Sequence, residues 1–174
     1  MGRSRTKDFH LPERVYRRRG RLYLVAQDGT WLPLHMTDGT SPEVTAAADA
    51  VRDKMAIERH LKRSFSRISS RAKRKGVLFS LVWNDCLTML ERSQWRCEVS
   101  GLPFRLTESI NRPPFAPSID RIHGPDGYTA PNCRLVCVAV NIAMNEWGAE
   151  AFADIARAVR NEIKRRKRRV ILAA

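Results

Sequence analysis

The chain has 174 residues, room for one ordinary domain and a small accessory module. Hydrophobic residues at 43% and charged residues at 29% exclude wholesale disorder, and no apolar run reaches the roughly 18 residues a bilayer span needs. Thirty-two Lys and Arg against 18 Asp and Glu leave a net charge of +14 and a pI near 10.6, a self-repelling excess that persists where a polyanion neutralises it.

DNA is the first partner this charge implies, because each neutralised phosphate releases condensed counterions; RNA shares that chemistry. Anionic lipid fits less well, since the basic segments lack an apolar opposite face rich in Trp, Phe and Leu. No membrane partner is expected. The opening Met1-Gly2-Arg3-Ser4-Arg5-Thr6-Lys7 has no apolar stretch behind it to act as a signal peptide. Cys86, Cys97, Cys133 and Cys137 are too few and too scattered for a disulfide framework. Reduced thiols in a cytoplasm are the expectation.

In chain order, residues 1 to about 8 are polar and basic and are expected to be disordered in isolation. Three β-prone bursts follow: Arg14-Val15-Tyr16-Arg17, Leu22-Tyr23-Leu24-Val25 and Thr30-Trp31-Leu32-Pro33-Leu34. Arg19-Gly20 and Asp28-Gly29 separate them, and Asp-Gly predicts a hairpin whose two central residues take positive φ. The expectation is a three-stranded meander. Its Leu11-Pro12-x-x-Val15-Tyr16 opening resembles the arm-type DNA-binding domain of phage tyrosine integrases over about 25 residues. Arg17, Arg18 and Arg19 are its candidate phosphate contacts; a small basic meander with no ligand of its own fits the same pattern.

Asp38 to Pro42 reads as a linker, with Ser41 as helix N-cap and Pro42 in the first helical position. Helical periodicity then runs through Val44, Ala47, Val51, Leu61, Phe65, Ile68 and Ala72 to a C-cap at Gly76. Ten Lys or Arg lie between Arg52 and Lys75, among them Arg63, Arg67, Arg71, Lys73, Arg74 and Lys75. So one-signed a helix surface points to phosphate tracking. Val82 to Ser93 is a second amphipathic helix, with Trp83, Cys86, Leu87 and Leu90 on one stripe and Cys86 a small core residue. After Gly148 the helical period returns through Phe152, Ile155, Val159 and Ile163. It ends in Lys164-Arg165-Arg166-Lys167-Arg168-Arg169, a nucleic-acid-binding tail with Arg165 and Arg166 as candidate contacts.

The stretch that carries chemistry lies between Cys97 and Trp147. Ser118-Ile119-Asp120-Arg121-Ile122 reads as a short strand bearing an acid, Gly124 to Pro131 as a tight loop, Cys133 to Val136 as a second strand, and a helix starts near Val138. Asn141 and Asn145, four apart, share one face of that helix, against which the strand can set Asp120.

With Gly127-Tyr128, Asn132 and the lead-in Cys97-Glu98-Val99-Ser100-Gly101-Leu102-Pro103-Phe104, this order resembles the ββα-metal fold of HNH nucleases of phage and prophage type, over about Arg71 to Trp147. The resemblance implies a metal-dependent DNA endonuclease or nickase, encoded by a phage or mobile element and working in a bacterial cytoplasm. It implies Asp120, Asn141 and Asn145 as metal ligands, and Asn132 as the residue bracing the loop. The same residues also fit a purely structural reading, with Asp120 in a salt bridge to Arg121 or Arg134 and the asparagines capping helix ends. A carboxylate with amide oxygens is hard-oxygen ligation suited to one Mg²⁺ or Mn²⁺.

Two positions depart from the family. Where a water-activating His is usual stands Arg121, which stays protonated and cannot act as a base. Either His123, two residues on and on the same side of an extended segment, takes that role, or Arg121 clamps the scissile phosphate while bulk water supplies hydroxide. The two zinc knuckles of many relatives survive here only as Cys97-x-x-Ser100 and Cys137-x-x-Val140, so hydrophobic packing is expected in place of structural zinc. A catalytically weak or inactive HNH fold kept for DNA binding is the alternative that Arg121 favours.

The chain thus reads as α+β in three parts: a basic β module at 1–37, a linker and long basic helix at 38–76, and the HNH module at 77–174 with a basic C-terminal helix.

Overall fold

A computed structural model describes residues 10–106 and 112–172, without the side chains of 170–172. The basic opening segment lies outside the described residues. The fold is α+β, and the chain divides into two compact units, Met1–Glu58 and Arg59–Ala174, with the boundary inside a long helix.

In the first unit β1 (Val15–Arg18), β2 (Arg21–Val25) and β3 (Trp31–Pro33) form an antiparallel meander in sequence order. Alternation sends Val15, Leu22 and Leu24 to one face. There they bury against Leu11, Leu34 and the first turns of α1 (Ser41–Arg74) through Val44 and Ala48. The two hairpins exchange the geometry that Asp-Gly suggests. Arg19 (φ 49°) and Gly20 (φ 73°) are both left-handed between the paired Arg18 and Arg21, as a two-residue primed turn requires. At the second hairpin only Gly29 (φ 86°) is left-handed. Its N–H donates to the Ala26 carbonyl (3.0 Å), and Ala26 N–H donates to Thr30 O (2.9 Å). The Asp28 carboxylate accepts the Thr30 N–H (2.9 Å), so Asp28 needs no positive φ.

The N-cap of α1 is Thr40, one residue before the expected Ser41. Thr40 O accepts the first helical bond, from Val44 N (3.0 Å), and its backbone N–H donates to Glu43 Oε2 (2.8 Å). A carboxylate in the first turn satisfies a donor that Ser41 does not reach. Gly76 ends α1 as expected. Its φ is 62°, Val77 N–H bonds Ala72 O (3.0 Å), and Gly76 N–H bonds Lys73 O (3.3 Å).

The second unit contains the remaining turns of α1, α2 (Trp83–Arg92), β4 (Pro117–Arg121), a 3₁₀ turn (Gly124–Asp126), β5 (Cys133–Cys137), α3 (Val138–Met144) and α4 (Gly148–Leu172). β4 and β5 pair antiparallel with Ile119 opposite Leu135 and Asp120 opposite Arg134. Glu98 extends this small sheet: its N–H bonds Leu135 O (2.9 Å), and its carboxylate takes the Leu135 N–H (2.7 Å) and Arg92 (2.9 Å). α2 buries Cys86 and Leu90 as its stripe predicts; Met89 is also fully enclosed, whereas Trp83 and Leu87 are half-buried.

All four cysteines are buried and reduced, and burial pushes Cys86 and Cys137 up to about 12 and Cys133 to about 11. The thiols of Cys97 and Cys137 interact, with Ser100 beside them, so the two knuckle remnants converge. α4 leaves Ile155, Val159 and Ile163 about half exposed. No helix among the described residues is long and apolar enough to cross a membrane.

Candidate active site

The ends of β4, β5 and α3 and the turn after β4 enclose a cavity of about 740 Å³, closed on another side by the last turns of α1. Each element places its residues for a local reason. Ser118 and Asp120 alternate with the core residue Ile119, so both face the cavity from β4. Asn141 and Asn145 enter one helical turn apart from α3. The Asn141 amide nitrogen donates to Ser118 Oγ (2.8 Å) and to Ile119 O (3.4 Å), which fixes α3 against β4 next to Asp120. Asn145 is exposed at the helix end, where its φ of 41° terminates α3.

Asn132 is the buried polar side chain that shapes the turn. Its Oδ1 accepts the His123 N–H (2.9 Å), and its Nδ2 donates to His123 O (2.8 Å) and Gly127 O (2.7 Å). These bonds leave no buried polar atom of the amide without a partner, the condition for an Asn at 9% exposure. Gly127 (φ 67°) completes the turn where a Cβ would stand 2.5 Å from Leu78 O. From there Tyr128 joins the 78–80 segment: Tyr128 N–H bonds Leu78 O (2.8 Å), and its ring lies 5.5 Å from Phe79.

The cavity is cationic. Arg71 reaches it from α1, Lys75 from the turn just after α1, Arg121 from β4 and Arg134 from β5, against the carboxylates of Asp120 and Glu146. Arg134 Nε donates to Asp120 Oδ2 at 2.8 Å, a cross-strand pair with 22% and 13% of the two side chains exposed. Arg121 donates to Gly124 O (2.7 Å) and lies 4.9 Å over the Tyr128 ring. His123 is two-thirds exposed, and its Nδ1 is 3.1 Å from Asp126 Oδ1.

The structure therefore brings together Asp120, Arg121, His123, Asn141 and Asn145 around one cavity, with Asn132 behind them. It adds Asp126 and Glu146, and of the two arginines that the sequence offers as partners of Asp120 it pairs Arg134. Strand register chooses Arg134 over Arg121, because Arg134 stands opposite Asp120 across the β4–β5 pair. The His123-x-x-Asp126 spacing on a turn is a legible signal for that pair.

Among the described residues no three His, Cys, Asp or Glu side chains cluster as a metal site. Asp120 and the Asn141 and Asn145 amides present hard-oxygen donors to the cavity, the kind of donor that Mg²⁺ or Mn²⁺ takes. Arg134 already occupies one oxygen of that carboxylate, so an ion bound there would share Asp120 with a guanidinium.

The other basic candidates lie elsewhere. Arg63, Arg67, Lys73 and Arg74 are exposed along α1. Arg165 and Arg166 are both held by Glu162, at 2.7 and 2.9 Å. Arg17 is engaged by Thr37 O and Asp38 (3.4 Å). Arg18 lies over Trp31, and Arg19 occupies the primed turn. No protein-family model, no curated protein and no solved structure matches the chain.

Proposed function

We propose that the protein is a DNA endonuclease or nickase of the HNH, ββα-metal type, hydrolysing phosphodiester bonds with one Mg²⁺ or Mn²⁺. The observation that carries this reading is the cavity itself. Two carboxylates, two amides and an imidazole converge on it, and four cations, Arg71, Lys75, Arg121 and Arg134, line it. Phosphate recognition needs such cations, and in-line displacement needs a base near them.

Arg59, Arg63, Arg67, Arg71 and Lys75 recur every four residues along α1 and into the turn just after it. Each step rises about 6 Å along the helix, so the series forms a cationic ridge that ends at the cavity. A backbone laid on it delivers a phosphate to Arg71 and Lys75, while Arg121 holds the scissile group. Asp126 accepts the Nδ1–H of His123, which leaves the Nε2 lone pair to take a proton from the attacking water. Water adds to phosphorus, the bond to the 3′ oxygen breaks, and that oxygen is protonated by solvent. Asp120, Asn141 and Asn145 would hold the metal, which supplies Lewis-acid stabilisation of the charge developing on the leaving oxygen.

The Asp120–Arg134 pair, together with Arg121 in the base position, favours a second reading, an inactive HNH fold retained for DNA binding. Incubation with supercoiled, linear and branched DNA, with Mg²⁺, with Mn²⁺ and with EDTA, separates the two. Cleavage that needs the ion and is lost in Asp120→Ala supports the nuclease. Tight binding without cleavage under every condition overturns it in favour of the binding module, and cleavage of RNA alone overturns DNA as substrate.

A further inference from the structure

The first unit holds a surface that the cleavage site does not use. The face of the meander opposite its core carries Tyr16 and Arg18 on β1, Arg21 and Tyr23 on β2, and Trp31 on β3. The register sets Tyr16 opposite Tyr23, Arg18 opposite Arg21, and Trp31 opposite Val25, two residues along β2 from Tyr23. The rings meet: Trp31 lies 6.0 Å from Tyr16 and 5.9 Å from Tyr23, with interplanar angles of 48° and 69°. The Arg18 guanidinium sits 5.3 Å from the Trp31 centroid. Tyr16 and Trp31 nevertheless stay 40% and 41% exposed, because the hydrophobic core lies on the other side of the sheet. A single exposed ring needs no explanation; a cluster of three, rimmed by guanidinium groups, marks a binding surface.

We propose that this face binds unpaired nucleotides, with bases stacking on Trp31 and Tyr16 and phosphates held by Arg18, Arg19 and Arg21. None of the outward positions is acidic, so the charge suits a polyanion. A duplex keeps its base faces stacked on one another and gains from the arginines alone. A proline-rich peptide gains from the rings alone. An unpaired strand uses both, since every base offers a π-face and every nucleotide a charge. Arg17 points to the opposite side and is engaged by Asp38, so it takes no part. None of the face residues lines the cavity, so this inference stands apart from the proposed cleavage reaction.

The test uses the full chain in EDTA, so that no cleavage intervenes. Fluorescence anisotropy is measured with dT and U oligonucleotides of about 12 nucleotides and with a duplex of equal length. Trp31→Ala and Tyr16→Ala are each expected to weaken single-strand binding by about 5- to 150-fold, with duplex binding changed less than about twofold. Trp31→Phe, which keeps a π-face, is expected to restore most of the loss. Binding of dT, U or both supports the assignment, and their ratio names the natural strand.

Wild-type affinity in both alanine variants overturns the proposal, as does an equal loss on duplex. So does micromolar binding of a proline-rich peptide by a protein that does not bind the oligonucleotides. Should the alanine variants fail to fold, intrinsic fluorescence of Trp31→Phe decides. Quenching by dT that is present in the wild type and absent in this variant supports the platform, and quenching of the same size in both overturns it.

Discussion

The two small sheets of this protein treat charge in opposite ways. In the meander, one face is apolar apart from Arg17 and the other presents rings and arginines that contact one another. In the β4–β5 hairpin the polar face is turned into a cavity, and its charges are matched across the strands, Arg134 against Asp120. An open face of rings suits a ligand that brings its own stacking surface. A cavity with more cations than carboxylates suits a phosphate that must be positioned to a fraction of an ångström. On the two readings proposed above, the contrast would divide base recognition from phosphate chemistry within one basic chain.

The largest effect expected is kinetic and confined to the cavity. His123→Ala should lower the cleavage rate by about 10²–10⁴ while leaving DNA affinity unchanged, because one imidazole adds little to so cationic a surface. Single-turnover nicking and anisotropy on the same preparation measure both. Equal rates in the variant would make His123 a bystander and leave Arg121 with bulk hydroxide as the better account. Trp31→Ala should leave duplex nicking unaltered, and a comparable loss there would erase the division between the two sheets.

Next come two glycines, one in each sheet's turn. Gly127→Ala drives a Cβ to 2.5 Å from the Leu78 carbonyl oxygen and 2.7 Å from the Leu78 Cβ at a φ of 67°, a clash that no flexible side-chain end can relieve. A loss of about 2–3 kcal/mol in unfolding free energy is expected. Gly29→Ala, at φ 86° but with nothing within 4 Å, carries only the conformational strain and should lose about 1 kcal/mol. Urea denaturation of the two variants checks the order, and equal losses would show that the contact with Leu78 is not what constrains the cavity turn. Asn132→Ala removes three hydrogen bonds from the same turn and should cost about 2–3 kcal/mol by the same assay.

The smallest effects concern single phosphate contacts. If six or more phosphates are engaged, duplex affinity should fall by roughly 10³ between about 50 and 200 mM salt. Arg71→Ala and Lys75→Ala should each reduce the salt slope by about 1. Arg17→Ala, whose guanidinium is already held by Asp38, should leave the slope unchanged. A flat salt response would mean that the α1 ridge is solvated and not docked on phosphate.

Periodicity was legible where a residue's neighbours in sequence are its neighbours in space. The meander strands, the span of α1 to Gly76, α2 and the strand–turn–strand–helix order after Pro117 all follow from alternation and 3.6-residue spacing. Local errors came from competing hydrogen bonds. Asp28 avoids positive φ because Thr30 satisfies its carboxylate, and Glu43 moves the cap of α1 to Thr40. The stripe of α4 was legible as periodicity, but its burial was not, since Ile155, Val159 and Ile163 stay about half exposed.

By itself, then, the amino-acid order determined the basic charge, the elements and the position of Asp120 on β4 and of Asn141 on α3, because each depends on spacing along one segment. Only the tertiary structure decided which cations share the cavity with Asp120, that Asp126 stands beside His123, and that Tyr16, Tyr23 and Trp31 form one cluster. Most of those contacts join segments far apart in the chain, and register and packing choose them from many pairings that the sequence allows equally.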